Sequence, residues 1–123
     1  MSYVTDRKRA TGRGSARTGT MHHWGMTVSS SGLIVLAPLF VITFGCALGK
    51  SYEEVLAYYG QPFPAIVAAL MIWISFMHFK NGVRVVIEDY IHGVWREFWI
   101  IFTTCMSYGA AATGIFAIAK LAL

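Results

Sequence analysis

Charged residues are scarce in this sequence of 123 residues. Asp, Glu, Lys and Arg make up 13% of it, whereas 56% of the residues are apolar and the mean hydropathy is +0.56. Soluble domains average about 25% charged and roughly 45–50% apolar residues. The composition therefore argues against a soluble globular domain, and its high hydrophobicity excludes intrinsic disorder. It is typical of an integral membrane protein.

Cysteine is almost as rare. Cys46 and Cys105 both lie in apolar stretches, and neither belongs to a CxxC or CxxCH motif. The sequence therefore predicts neither a disulfide framework nor an iron–sulfur site.

Long stretches without charge define the predicted organisation. A membrane-spanning helix needs about 20 apolar residues, and three spans are predicted at about 29–49, 63–88 and 98–120. A polar loop, 50–61, joins the first two. The chain thus divides into a basic N-terminal tail, 1–27, and a three-helix membrane domain, 28–123. Because three helices enclose a cofactor poorly, we predict an all-α integral membrane protein that is part of a heteromeric helical bundle.

Basic residues are concentrated at the N-terminal end. Five of the ten lie within the first 17 positions: Arg7, Lys8, Arg9, Arg13 and Arg17. Because apolar segments follow directly, a membrane surface is favoured over nucleic acid as the partner of this tail. The positive-inside rule places the N-terminus in the cytoplasm and the C-terminus in the periplasm of a bacterial inner membrane. A mitochondrial presequence is also rich in Arg and Ser and poor in acids, so the mitochondrial inner membrane stays open.

His78 is an ionisable residue deep within the second predicted span, eleven positions before Asp89. Leaving an ionisable side chain unpaired in lipid costs several kcal/mol, so a residue of this kind within a span is a functional candidate by default. At 100° per residue, positions 78, 82, 85 and 89 share one helix face, and this face carries His78, Gly82, Val85 and Asp89. A neutral imidazole is a standard axial ligand of haem iron, and Gly82 leaves room for a flat macrocycle. At the polar end of the helix, Asp89 and Tyr90 could bind a quinone head group.

Each of these residues also has a structural interpretation. His78 could instead bond the backbone of another helix, and Tyr90 could be an interfacial aromatic residue. Lys80, Arg84 and Glu88 fall on one i, i+4 stripe, which suits either a salt-bridged helix end or contacts to haem propionates. Three further histidines at the interfaces form no metal-ligand pattern: His22, His23 and His92.

The stretch from His78 to Tyr90 resembles the second span of a known family, the small hydrophobic membrane-anchor subunits of succinate dehydrogenase (respiratory complex II). In that family a haem-ligating His is followed four residues later by Gly, and eleven and twelve residues later by Asp and Tyr. All four positions match here. The basic tail and the following His22, His23 and Trp24 are similar to alphaproteobacterial members.

The resemblance implies a role for each matching residue. His78 would be one axial ligand of haem b, with the other ligand on a second cytochrome b anchor subunit. Tyr90 would donate a hydrogen bond to ubiquinone, Asp89 would support that site, and Trp24 would approach it from the start of the first helix.

One departure from the family concerns charge near the haem propionates. Related chains often carry an arginine a few residues after the tryptophan, whereas Gly25, Met26 and Thr27 stand here. Lys80 or Arg84 could replace that charge, which makes them candidate propionate contacts.

The resemblance also implies partners. The chain would be a non-catalytic anchor subunit that holds a flavoprotein subunit and an iron–sulfur subunit on the membrane, among lipid and without nucleic acid. Two alternatives remain at this stage. One is the anchor of a fumarate reductase or another quinone-linked cytochrome b complex. The other is a small proton-coupled membrane protein in which His78 and Asp89 move protons.

Overall fold

The chain is helical throughout its described part. The computed structural model describes residues 4–12, 14 and 19–123, so Arg13 and Arg17 of the basic tail lie outside it. Within these residues there are five helices and no strand: α1 Asp6–Thr11, α2 Gly19–Ala47, α3 Tyr52–Tyr59, α4 Pro62–Tyr90 and α5 Val94–Ala122. The predicted all-α class is confirmed.

Three of the helices are long and apolar enough to cross a membrane. α2, α4 and α5 each have 29 residues, which at 1.5 Å per residue gives about 43 Å. A hydrocarbon core is about 30 Å thick, so the helix ends extend into the head-group layers. The prediction of three spanning helices is confirmed. Helix α2 begins well before residue 29, and the exact membrane limits of each span stay predictions.

The connection between the first two long helices contains a helix of its own. Helix α3 begins with a capping box, in which the Ser51 side chain accepts from the Glu54 backbone N–H and the Glu54 carboxylate accepts from the Ser51 backbone N–H at 2.8 Å. The Ser51 backbone bond, and secondarily the Ser51 hydroxyl, lower the pKa of Glu54. The capping interaction of the ionised Glu54 carboxylate therefore stabilises α3 at pH values above the ordinary pKa of a glutamate. This stabilisation is lost as the pH falls through the lowered pKa of Glu54.

Glycine and proline set the ends of the long helices. Gly49 has φ +77° just after α2, and Gly93 has φ +69° just before α5, a conformation that L side chains rarely adopt. Pro62 and Pro64 lie in the first turn of α4, where a missing backbone N–H costs little. These residues therefore favour the two chain reversals, one between α2 and α4 and the other between α4 and α5.

Helix α4 lies between the other two long helices. It packs against both α2 and α5, whereas α2 and α5 make no close backbone contact with each other in the described chain. Large apolar side chains remain exposed along all three helices, and the buried core near α3 is small, with Ala47, Tyr59 and Ala68 at its centre. The chain is thus a row of helices that needs lipid or partner subunits to cover it.

The contact between α4 and α5 depends on Gly114. A Cβ atom added there would lie 2.9 Å from Cγ2 and 3.2 Å from Cδ1 of Ile72, whereas a Cβ at Gly109 on the same helix would meet nothing within 4 Å. Both substitutions to alanine gain the same helix propensity, so their difference isolates the clash. We expect Gly114→Ala to be less stable than Gly109→Ala by about 1–3 kcal/mol.

The thermal midpoint of the detergent-purified assembly measures this difference. Combining Gly114→Ala with Ile72→Ala, which removes the two close atoms Cγ2 and Cδ1, should recover part of the loss. Equal thermal midpoints for Gly114→Ala and Gly109→Ala would show that α4 and α5 accommodate the added methyl group at position 114 without a loss of stability.

Candidate functional site

Helix α4 uses two sides to contact its neighbours. Residues of the predicted His78 face meet α2, whereas Ile72 and Lys80 meet α5. Neighbouring positions on α2 and α4 run antiparallel. His78 is hydrogen-bonded to Ser29, Ile74 lies beside Gly32, Asn81 beside Gly25 and Gly82 beside Met26. The sequence-predicted site therefore lies along the α2–α4 contact.

His78 is held by a hydrogen bond to the first long helix. Its Nδ1 lies 3.0 Å from Oγ of Ser29, and that hydroxyl also lies 2.8 Å from the Gly25 carbonyl oxygen and 3.0 Å from the Met26 carbonyl oxygen. Within residues 19–123 no hydrogen bond engages the other ring nitrogen, Nε2. The ring is therefore oriented by Nδ1, and Nε2 keeps its capacity to bind.

Gly82, one turn further on, leaves room beside this imidazole. A Cβ atom built at Gly82 would meet a single neighbouring atom, Cε of Met26, at 3.8 Å, which is ordinary van der Waals contact. The packing of this chain on its own thus does not require glycine at position 82. If glycine is required at position 82, the requirement comes from a cofactor or a partner subunit that packs against this chain.

Asp89, Tyr90 and Trp24 lie at one end of the row of helices. Tyr90 is the last residue of α4 and is 80% exposed, Asp89 is exposed beside it, and Trp24 is 61% exposed near the start of α2. Trp24 adjoins Gly25, which faces Asn81, so the start of α2 lies against the last third of α4. In the described chain none of these three side chains has a hydrogen-bond partner, and their polar groups are open to a ligand.

The two candidate propionate contacts point to different neighbours. The Lys80 ammonium donates to the Tyr108 hydroxyl at 3.2 Å and lies 5.0 Å from the centre of that ring. Arg84 Nε donates to Glu88 Oε1 at 2.8 Å, as the i, i+4 stripe predicts. Lys80 is thus directed toward α5, and Arg84 stays on the side of α2.

A polar cavity lies between the start of α2 and the end of α4. It has a volume of about 290 Å³ and is lined by Gly19, His22, Arg84 and Glu88. Nε2 of His22 is buried without a hydrogen-bond partner among the described residues. A buried polar atom normally has a partner, so this cavity suits a polar group supplied from outside the chain.

Two residues of this site were missed by the sequence analysis. Ser29 was one of three consecutive serines at the entrance of the first span, and successive residues differ by 100° around a helix, so sequence alone does not tell which of them faces α4. His22 belongs to no metal-ligand spacing, so the sequence does not distinguish it from an ordinary interfacial histidine. Both residues could be found once α2 is taken to run antiparallel to α4, because residues near the start of α2 then lie beside His78 and the residues that follow it.

The described residues suit a metal cofactor that is bound through a single side chain of this subunit. No group of three His, Cys, Asp or Glu side chains able to hold a metal ion is found in the residues that the structure describes. A haem iron, in contrast, takes axial ligands singly, and His78 offers one free nitrogen beside an open position at Gly82. The residues present therefore fit a haem shared with another subunit.

Comparison with known proteins gives two matches. The family model described as succinate dehydrogenase/fumarate reductase transmembrane subunit matches residues 1–114. The chain is 46% identical over 123 residues to the succinate dehydrogenase hydrophobic membrane anchor subunit of Paracoccus denitrificans, and the match covers all of this chain and 95% of that relative. No solved structure matches.

Proposed function

This chain belongs to the succinate dehydrogenase/fumarate reductase transmembrane subunit family, and on that premise we propose that it forms part of a haem b site and part of a ubiquinone site. Its function is that of a multi-pass membrane-anchor subunit of succinate dehydrogenase. The observation that carries the proposal is the arrangement at His78, whose Nδ1 is bonded while Nε2 is free.

His78 is the haem ligand in this proposal, and α2 and α4 shape its surroundings. When bound, haem b would supply a one-electron redox centre, and His78 would hold it together with a residue of a second cytochrome b anchor subunit. Gly82 admits the edge of the macrocycle. Arg84 and His22 line the polar cavity and supply donors for a propionate, whereas Lys80 is directed toward α5.

Tyr90 is the quinone-binding donor in this proposal. Its hydroxyl lies at the end of α4, where a quinone head group can reside while the isoprenoid tail remains in lipid. The phenol donates to a quinone carbonyl oxygen and so orients the ring. Asp89 supports the site and can hold a proton near it, and Trp24 forms an apolar wall from the start of α2.

The basic residues of the N-terminal tail support a proposed orientation and proposed partners. Arg7, Lys8 and Arg9 are exposed on α1, and cytoplasmic segments next to spans are enriched in such residues. We place this end in the cytoplasm of a bacterial inner membrane, where it docks the iron–sulfur and flavoprotein subunits. The C-terminus is then periplasmic, and lipid covers the apolar side chains that no partner covers.

Purification of the intact complex tests this proposal. We expect a complex obtained through this chain to contain a flavoprotein, an iron–sulfur subunit and a second helical subunit, with one haem b per copy and ubiquinone in the lipid extract. The pyridine haemochrome spectrum gives the haem count. A complex without haem would contradict the haem site, and menaquinone in place of ubiquinone would indicate the fumarate reductase branch of the family.

A further inference from the structure

The bond between His78 and Ser29 assigns a role to a residue outside the proposed binding groups. We infer that Ser29 is a positioning residue that fixes the tautomer and the ring orientation of His78 and tunes the haem that His78 binds. The inference rests on the proposed haem site. Ser29 would contact neither the haem nor the quinone and would act only through the imidazole of His78.

The hydrogens of this network can be placed from its acceptors. Oγ of Ser29 lies 2.8 Å from the Gly25 carbonyl oxygen and 3.0 Å from the Met26 carbonyl oxygen, and carbonyl oxygens accept only. When the hydroxyl hydrogen is placed on one of these two carbonyl oxygens, an Oγ lone pair remains for the imidazole. In the tautomer that we infer, Nδ1 is the donor at 3.0 Å. In a neutral histidine, protonation of Nδ1 leaves Nε2 as the nitrogen that binds a metal.

This arrangement matches what an outer-shell partner does at metal sites. A ligating histidine almost always donates its other ring N–H to an acceptor, which fixes the ring and raises the basicity of the ligand. Ser29 makes the one side-chain hydrogen bond found between α2 and α4 in the described chain. Removal of its hydroxyl frees the ring to rotate and lowers the basicity of Nε2. A less basic ligand stabilises ferric haem less, so the midpoint potential should rise.

Position 30 offers a matched control on the same helix. The Ser30 hydroxyl donates to the Met26 carbonyl at 2.9 Å, as Ser29 does at 3.0 Å, but it is exposed and has no partner on α4. Ser30→Ala thus removes a backbone-bonded hydroxyl one position away without touching the imidazole. Ser29→Thr keeps the acceptor oxygen and tests for rescue.

The experiment compares purified complexes carrying Ser29→Ala, Ser29→Thr and Ser30→Ala. We expect Ser29→Ala to bind haem about 10- to 100-fold more weakly, measured as faster haem transfer to excess apomyoglobin. We also expect a more positive haem midpoint potential and altered low-spin haem g-values. Ser30→Ala and Ser29→Thr should match the unmodified complex in all three measurements.

The outcomes separate this inference from the haem site itself. Unchanged haem transfer, potential and g-values in Ser29→Ala, with His78→Ala devoid of haem, would overturn the role of Ser29 and leave the haem site intact. Haem retained in His78→Ala would overturn both. If Ser29→Ala does not accumulate, Ser29→Val is compared with Ser29→Thr, which has the same shape but keeps the acceptor oxygen. A more positive potential and altered g-values in Ser29→Val alone support the inference, and equal values in the two variants overturn it.

Discussion

Replacement of His78 by alanine is expected to remove the b-type haem spectrum from the assembled complex. Loss of a hydrogen-bond partner of a metal-ligating residue typically weakens a metal site about 10- to 100-fold, so loss of the ligand itself should weaken haem binding further and deplete the spectrum. The bond to Ser29 disappears with the side chain, but the close approach of the two helices at Gly25 and Gly32 does not depend on the imidazole. The measurement is the reduced-minus-oxidised spectrum of purified complex, normalised to the amount of this chain.

His92 supplies the matched control for this experiment. It lies exposed in the turn between α4 and α5 and makes no side-chain hydrogen bond within the described residues. His92→Ala should therefore retain the full haem spectrum. A normal spectrum in assembled His78→Ala complex would falsify the haem assignment, and loss of haem in both variants would show that the signal reports assembly and not ligation.

Removal of the Tyr90 hydroxyl is expected to slow quinone reduction while succinate oxidation continues. Tyr90→Phe keeps the ring and deletes the group that donates to the quinone carbonyl. A net hydrogen bond of about 0.5–1.5 kcal/mol corresponds to a decrease of up to about tenfold in kcat/KM for the quinone, since about 1.4 kcal/mol is a factor of ten. Succinate oxidation measured with a soluble artificial acceptor should be unchanged, because that acceptor bypasses the membrane site.

Tyr52→Phe is the control for this second experiment. Tyr52 begins α3, is 72% exposed and lies at the end of the row of helices opposite Tyr90. It should leave both activities unchanged. Ordinary quinone kinetics in Tyr90→Phe would remove Tyr90 from the site, and equal losses with both acceptors would indicate damage to the soluble subunits.

Much of the fold could be predicted because membrane insertion depends on composition. The absence of charge between Thr18 and Gly49 and between 98 and 119 predicts helices long enough to span, and the structure has them at α2 and α5. Helix α3 was not predicted, because its eight residues carry too little periodicity and its start depends on a local bond between Ser51 and Glu54. The early start of α2 at Gly19 lies in a polar segment, where hydropathy gives no signal.

The site was predictable to the extent that it lies on one helix. The spacing of His78, Gly82 and Asp89 predicts a shared face, and the structure confirms that His78 and Gly82 both turn toward α2. Contacts between helices were beyond the sequence, because they depend on how one helix is rotated against the next. The partner of His78 at Ser29 and the direction of Lys80 toward Tyr108 are of this kind. The roles of His78, Asp89, Tyr90 and Trp24 in binding stay predictions.

The central position of α4 has a thermodynamic consequence. Helices α2 and α5 make no close backbone contact in the described chain, and they are joined only through α4 and α3. Effects at sites without shared partners usually add, so we expect the free-energy changes of substitutions at Ser29 and Gly114 to be close to additive. Residues at the α4–α5 contact can therefore change with the demands of stability or lipid environment, while the orientation of the His78 imidazole at the α2–α4 contact is preserved.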